Sequence, residues 1–192
     1  MSGVPTKRLS AEEFARLPNP ADGSKEELVR GEVVTLPPGG FLHGYVQGQV
    51  GFVLDAYCQA HSFGHVTVGS GVVTETGPDS VRGPDVAVWS YARLPTDQVP
   101  EMYATIAPDL CVEVRCPGNL KEKMVPKVRE YLACGTRMVW VIDPAERTVT
   151  VYTKPGEGTV FWDDATLSGG DVLPGFSCPV AEFFESPSGG PG

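Results

Sequence analysis

The sequence predicts an α/β (α+β) fold, and three observations carry the prediction. Residues 108–144 read as a strand–helix–strand unit in which residues 110–115 alternate between apolar and polar side chains. Residues 138–142 form an uninterrupted apolar run, which is typical of a strand covered on both faces and reached by a right-handed parallel crossover. Residues 27–35 read as two short strands that turn at Arg30 and Gly31. The fold should therefore combine a sheet containing a parallel pair with an N-terminal β-hairpin.

The helix inside this unit is expected to lie between Pro126, in its first turn, and Gly135, just past its end. Its buried stripe, at helical spacing, should consist of Met124, Val128, Tyr131 and Leu132. Lys127 lies at the edge of that stripe, so it should lean toward the sheet. Glu113, on the face of its strand opposite three aliphatic side chains, could then meet Lys127 at one end of the sheet.

The remaining elements follow from local patterns. Ser10 and Glu13 form a capping-box pattern that predicts a short helix to about residue 17. Further predicted elements are a helix over 43–60, strands over 66–74 and 84–89, an irregular loop over 91–107, and a hairpin over 148–153 and 159–162.

Length and composition favour one domain. With 192 residues, 41% of them hydrophobic, the chain can build one sizeable core. We expect a flexible N-terminus over residues 1–8, a single domain over residues 9–185 and a disordered tail over residues 186–192. The formal net charge of -9 argues against a protein that coats nucleic acid nonspecifically, although a local basic face stays compatible with it.

Cysteine usage and hydropathy indicate a cytoplasmic protein. No apolar run is long enough for a membrane span, and the N-terminus lacks the apolar core of a signal peptide. The five cysteines form no C-x-x-C pair, which favours reduced, mostly buried thiols. His61 and His65 have metal-ligand spacing without an evident third ligand, so we assign no zinc.

Two carboxylates and a lysine supply the chemistry of metal-dependent phosphodiester cleavage. Asp85 starts one predicted strand, Glu113 lies on the next, and Lys127 follows on the helix. Carboxylates bind a hard cation such as magnesium, and an ammonium can orient or activate a water. The alternative is that Glu113 is a structural strand residue paired with Lys127 or Arg115. No phosphate-binding G-x-x-x-x-G-K-[ST] loop is present, and Ser70 lacks the setting of a hydrolase nucleophile.

The order of motifs resembles the Uma2 family, a bacterial group of restriction-endonuclease-like proteins within the PD-(D/E)XK nuclease superfamily. The resemblance covers about residues 9–185, which it identifies as a single Uma2-like nuclease domain. Its motifs, in order, are E-L-V-R-G-E, His43, Pro84-Asp85, P-D-L-C-V-E-V-R-C-P, Lys127-x-x-x-Tyr131, Gly135 and V-W-V-I-D-P. The resemblance implies a restriction endonuclease-like mixed β-sheet flanked by helices.

The resemblance also implies roles for individual residues. Asp85 and Glu113 would be the ligands of Mg2+, or alternatively Mn2+, and Lys127 the superfamily lysine displaced from the strand to the helix. The expected accessory residues are Glu27, His43, Gln47 and Arg115. Two positions depart from the family pattern, with Cys116 in place of a serine and Lys123 in place of an aspartate, and neither is a presumed metal ligand.

Purely structural interpretations of some of these residues are also open. Arg115 cannot act as a base near neutral pH, so it is either a phosphate or carboxylate clamp or a salt-bridge partner of Glu113 or another sheet residue. His43 could instead bind a backbone carbonyl at the start of its helix. Asp143 is expected to be a structural turn residue.

The predicted function is a metal-dependent endonuclease that hydrolyses DNA phosphodiester bonds with a metal-activated water, acting as a homodimer by analogy. The alternative is a catalytically inactive, nuclease-derived binding or scaffolding protein. The acidic net charge of -9 counts in favour of that alternative.

Overall fold

A computed structural model of the chain describes residues 8–116 and 121–185. The predicted flexible N-terminus lies outside these residues except for Arg8, as does the whole predicted tail over 186–192. The helices are α1 (Ala11–Ala15), α2 (Phe41–His61), α3 (Lys121–Ala133) and a 3-10 helix (Val180–Phe183). No helix in the described ranges is long and apolar enough to cross a membrane.

The strands in the described part of the chain are short, as the sequence patterns indicate. They are β1 (Lys25–Val29), β2 (Glu32–Leu36), β3 (Gly64–Val68), β4 (Val72–Glu75), β5 (Ser80–Arg82), β6 (Val86–Ser90), β7 (Leu110–Val114), β8 (Met138–Asp143), β9 (Thr148–Lys154), β10 (Glu157–Trp162), β11 (Thr166–Ser168) and β12 (Ser177–Pro179).

Six of these strands form a mixed central sheet in the order β10-β9-β8-β7-β6-β3. Strands β7 and β8 are parallel and are connected by α3, whereas every other neighbouring pair in this sheet is antiparallel. A second, antiparallel sheet has the order β2-β1-β5-β4 and contains the predicted N-terminal hairpin. The expected mixed sheet flanked by helices is therefore confirmed.

The two faces of the central sheet are covered by different elements. On one face, α2 contributes Val46, Val50 and Leu54 to a large core that also holds Val86 and Val112. The opposite faces of β7 and β8 pack against Met124, Val128 and Tyr131 of α3. Because side chains alternate along a strand, the residues next to these aliphatic ones, including Glu113, point to the α3 side.

Several local predictions are confirmed in detail. Ser10 caps α1 by accepting a hydrogen bond from the Glu13 backbone N–H, and the Glu13 carboxylate accepts the Ser10 N–H in return. Gly135 follows α3 with a φ of 105°, which a residue with a side chain rarely adopts. The segment 91–107 contains no helix or regular strand, as expected.

Two predictions about element bounds are wrong. The single strand expected over 66–74 is two strands in different sheets, because the chain turns at Gly69, whose φ is 67°. Pro126 lies inside α3 and not in its first turn, because the helix already begins at Lys121. The alternating pattern continues through Gly69, so the sequence pattern alone could not reveal that the strand divides there. Strands β5, β11 and β12 and the 3-10 helix were not predicted, since segments of three or four residues carry little periodicity.

Candidate active site

Glu113 and Lys127 meet at the end of β7, as the sequence predicts. The Lys127 Nζ lies 3.2 Å from both carboxylate oxygens of Glu113. The Tyr131 hydroxyl, one turn further along α3, donates to Glu113 Oε1 at 2.6 Å. Only 4% of Glu113 is exposed, so its charge is taken out of water and held by these two groups.

Asp85 lies immediately before β6, the strand next to the one that carries Glu113. Val86 pairs with Val112 in antiparallel register, which places the preceding residue, Asp85, opposite Glu113. The Val114 backbone N–H donates to Asp85 Oδ2 at 2.7 Å, so the Asp85 carboxylate reaches the end of β7. The two carboxylates expected from the sequence are therefore neighbours at one end of the sheet.

Glu27 joins this cluster from the second sheet. It lies on β1, is 1% exposed, and accepts hydrogen bonds from Lys127 Nζ at 2.9 Å and from Arg82 Nη1 at 2.9 Å. The Gly83 backbone N–H donates to Glu27 Oε1 at 3.3 Å, the same oxygen that accepts from Lys127. Lys127 is thus held between two buried carboxylates, one from each sheet.

These contacts set the ionisation of the cluster. Burial lowers the pKa of Lys127, but the carboxylates of Glu113 and Glu27 outweigh burial and raise it above its usual range. Burial raises the pKa of Glu27, yet Lys127 and Arg82 bring it below its ordinary value. For Glu113, burial dominates and raises the pKa, with the negative charge of Asp85 acting in the same direction. Lys127 therefore stays protonated, and Glu113 is the carboxyl that takes up a proton most readily.

Two polar side chains of α2, His43 and Gln47, also contact Asp85. His43 Nε2 lies 3.4 Å from Asp85 Oδ1, and Gln47 Nε2 donates to the Asp85 backbone carbonyl at 2.9 Å. The hydrogen bond to Asp85 raises the pKa of His43, against the opposing effect of burial. The Cys116 Sγ lies 3.3 Å from His43 Nδ1, so the ring is held between a carboxylate and a thiol. His43 and Gln47, placed together on one helix face by the sequence, both contact the candidate site.

Arg115 does not join the cluster. Its guanidinium forms an ion pair with Asp143 at the end of β8, which matches the salt-bridge alternative to a clamp. Asp143 Oδ1 in turn accepts the backbone N–H groups of Ala145 and Glu146 at 3.1 and 3.3 Å. Asp143 is therefore the structural turn residue that its position predicts.

Lys25 and Arg82 are residues of the cluster that sequence reasoning missed, and Lys25 is the one that contacts Asp85. Its Nζ donates to the Gly83 carbonyl and lies 3.5 Å from Asp85 Oδ1. The burial effect on the pKa of Asp85 is opposed by the His43 hydrogen bond and by the charge of Lys25, and the net pKa is lowered. Lys25 and Glu27 are two residues apart on β1, so strand alternation could have placed them on the same face.

The donor chemistry of the cluster fits a hard cation. The Lys25 ammonium contacts an oxygen of the Asp85 carboxylate and the carbonyl oxygen of Gly83. Carboxylate and carbonyl oxygens are also ligands that magnesium prefers. Within the described ranges no group of three or more histidine, cysteine or acidic side chains is placed to hold a metal. Magnesium commonly uses one or two carboxylates together with waters and substrate phosphates, so Asp85 and Glu113 form a suitable protein contribution.

The mixed central sheet and its flanking helices form a restriction-endonuclease-like fold. The chain belongs to the Uma2 family, whose model, described as "Putative restriction endonuclease", matches residues 11–181. The predicted family membership is therefore confirmed.

A solved structure shares the fold. It is a crystal structure from Anabaena variabilis ATCC 29413, described as a "putative nuclease belonging to DUF820". It has 24% sequence identity and a TM-score of 0.77, and the match covers 92% of this chain and 97% of that one. No curated protein matches the chain significantly.

Proposed function

We propose that this protein is a magnesium-dependent endonuclease that hydrolyses phosphodiester bonds of DNA. The observation that carries the proposal is that Asp85, immediately before β6, accepts the Val114 N–H beside Glu113 on β7, with Lys127 against Glu113 and Lys25 against Asp85. Two carboxylates and two ammonium groups at one sheet end provide both cation ligands and positive charge for a phosphate.

Each residue has a role in this proposal. Asp85 and Glu113 would hold the metal ion, which when bound stabilises negative charge on the phosphate and makes water a better nucleophile. Lys127 stays protonated between Glu27 and Glu113, so it acts by orienting Glu113 and by its positive charge and not as a base. Lys25 is about one third exposed, which leaves its ammonium available to a phosphate oxygen.

His43 and Gln47 position Asp85. Gln47 fixes the Asp85 backbone carbonyl, and His43 contacts Oδ1 of its carboxylate. Oδ2 is already engaged by the Val114 N–H. A carboxylate held at both oxygens and at its own backbone loses little freedom on binding a cation, which is the advantage of a preorganised site.

The test is cleavage of plasmid, single-stranded DNA and RNA with magnesium or manganese, and with a chelator as the blank. Asp85→Asn and Glu113→Gln should each lower the cleavage rate by about 100-fold or more, the loss typical when a group that stabilises transition-state charge is removed. Asp164→Asn changes the same charge at an exposed position of the described chain and should cleave like the wild type. Circular dichroism and thermal unfolding would establish that all variants are folded.

A second candidate function is a nuclease-derived binding protein without turnover. Its support is that Glu27 and Glu113 already have cationic partners, together with the net charge of -9. Under this alternative the folded wild type cuts none of the three substrates and shows no calorimetric heat with magnesium or manganese. Cleavage that persists unchanged in Asp85→Asn would contradict the proposed site.

Double-strand cleavage by a domain with one such site would use two copies of the chain, so we propose a homodimer as the active form. Sedimentation equilibrium should give twice the chain mass for the free protein, and the mass of two chains plus one duplex for the protein with duplex DNA. A monomer that nicks only one strand would contradict this part of the proposal.

A further inference from the structure

Tyr131 is a buried polar residue of the carboxylate cluster that the proposed reaction does not use. It lies on α3 four residues after Lys127, so both side chains leave the same face of the helix. Its side chain is fully buried in the apolar cluster between α3 and the central sheet, together with Cys111 and Val139. This packing holds the ring, so its hydroxyl has a fixed position beside Glu113.

The Tyr131 hydroxyl and the Lys127 ammonium together use most of the hydrogen-bonding capacity of Glu113. An ionised carboxylate has about four lone-pair positions, roughly two on each oxygen. Oε1 accepts from Tyr131 at 2.6 Å and from Lys127 Nζ at 3.2 Å, whereas Oε2 accepts from Lys127 Nζ at 3.2 Å. Among the residues that the structure describes, these contacts leave one lone-pair position of Glu113, and it lies on Oε2.

Burial makes this arrangement costly to change. Only 4% of Glu113 and 0% of Tyr131 is exposed, so water has little access to replace either partner. The hydrogen bond from Tyr131 is short and charge-assisted, which is the strong kind. Turning Oε1 toward a cation would break this bond and leave a buried hydroxyl without an acceptor. Glu113 therefore offers a cation one oxygen, Oε2.

A carboxylate that offers one oxygen distinguishes magnesium from calcium. Calcium takes about six to eight oxygen ligands and often binds both oxygens of one carboxylate. Magnesium requires a smaller, octahedral set of ligands and uses one or two carboxylates together with waters. A one-oxygen Glu113 therefore meets the needs of magnesium and withholds a ligand from calcium.

We propose that Tyr131 is a positioning residue that fixes Glu113 as a one-oxygen ligand and thereby sets a preference for magnesium over calcium. The proposal rests on the proposed function, which makes Asp85 and Glu113 the metal ligands. It gives the Tyr131 hydroxyl a role that the packing of its ring does not require.

The test measures metal binding to the free protein, without nucleic acid. Electron paramagnetic resonance follows the Mn2+ that stays free in solution while magnesium or calcium displaces the bound Mn2+. The ratio of the two displacement constants is the preference for magnesium. A change in the protonation of Glu113 weakens the binding of both ions by the same factor, so this ratio responds to the ligand set.

Tyr131→Phe keeps the ring and removes the hydroxyl. The change frees a lone-pair position on Oε1, so the carboxylate can turn both oxygens toward calcium. Magnesium binding should weaken about tenfold, as is typical when a hydrogen-bond partner of a metal ligand is lost. Calcium binding should weaken less, so the preference for magnesium should fall by about threefold or more.

Tyr57→Phe is the matched control. Tyr57 is also buried, but it packs in the core on the α2 side of the sheet and donates its hydroxyl to the Pro174 carbonyl at 3.0 Å. Its loss of a hydroxyl should leave the preference for magnesium equal to that of the wild type.

Two results would overturn the proposal. One is an unchanged preference for magnesium in Tyr131→Phe, once thermal unfolding has established that the variant is folded. The other is a wild type that binds calcium as tightly as magnesium. The second result does not depend on whether Tyr131→Phe folds.

This proposal and the proposed function fail separately. An unchanged preference in Tyr131→Phe, with metal-dependent cleavage still lost in Asp85→Asn, would overturn the role of Tyr131 alone. A reduced preference in Tyr131→Phe, with no cleavage of any nucleic acid by the wild type, would overturn the nuclease and keep the role of Tyr131. A folded wild type that binds no Mn2+ would overturn both.

Discussion

At the scale of single residues, the site is governed by how each charge is compensated. Asp85 is mostly buried, yet its carboxylate keeps a lowered pKa because His43, Lys25 and the Val114 N–H together outweigh the cost of burial. Glu113 has the opposite balance, with burial raising its pKa. The two neighbouring carboxyls therefore have pKa values shifted in opposite directions, and Asp85 is the one that stays ionised to lower pH.

We predict that His43 titrates above its ordinary pKa of 6.5 because its ring bonds the Asp85 carboxylate. In Asp85→Asn the pKa should fall back toward 6.5, since the hydrogen bond to a negative charge is lost. The measurement is an NMR titration of the imidazole in metal-free buffer. An unchanged His43 pKa in Asp85→Asn would refute the contact.

The same shift has a consequence for stability. A raised folded-state pKa stabilises the fold fully below the unfolded value of about 6.5, and that contribution is lost as pH rises through the folded value. The stability advantage of the wild type over His43→Gln should therefore shrink as the pH is raised from about 6 upward. Urea unfolding of both proteins across this range measures it.

At the scale of elements, close backbone approach decides where β3 lies. Gly64 begins β3 opposite Ser90, and a Cβ built on it would lie 1.9 Å from the Trp89 carbonyl oxygen. Only a residue without a side chain allows β3 to pair with β6 at this point.

A matched pair of substitutions tests this packing. Gly64→Ala should destabilise the protein by about 3 kcal/mol or more, because backbone atoms must move to relieve the clash. Gly48→Ala, in α2 where a Cβ meets nothing within 4 Å, should stabilise it by about 0.5 to 1 kcal/mol through helix propensity. Chemical denaturation of both variants is the measurement. Equal effects at the two positions would argue against the β3–β6 contact.

At the scale of the whole molecule, one arginine connects the second sheet to α3. Arg82, at the end of β5, donates to Glu27 of β1 at 2.9 Å and to Glu130 of α3 at 2.7 Å. Glu27 then continues the network through Lys127 to Glu113 on the central sheet. The two sheets and α3 thus share one buried chain of charges that passes through the candidate active site.

Breaking this network should be costly. Arg82→Met leaves two carboxylates short of a cationic partner and should lower the free energy of unfolding by about 3 kcal/mol. Arg16→Met removes an arginine from an ion pair with Glu12 whose side chains are 67% and 68% exposed, and should cost less than about 0.5 kcal/mol. Denaturant unfolding distinguishes the two. A similar small loss in both variants would show that Arg82 is not structurally important.

The sequence by itself determined the secondary-structure elements that short, local residue patterns specify. Alternation fixed β7, helical spacing fixed the α3 stripe, and Gly135 marked the end of the helix. Because these patterns also set the side on which each residue points, the meeting of Glu113 and Lys127 followed from them. Their catalytic roles remain proposals.

Tertiary structure alone decided the contacts between segments distant in sequence. Lys25 reaches Asp85 from a strand 60 residues earlier, and Arg115 pairs with Asp143 across 28 residues. The split between β3 and β4 likewise depends on which sheet each strand joins. Periodicity reports which face of a strand is buried, whereas strand order and charge pairing depend on long-range packing that no local pattern encodes.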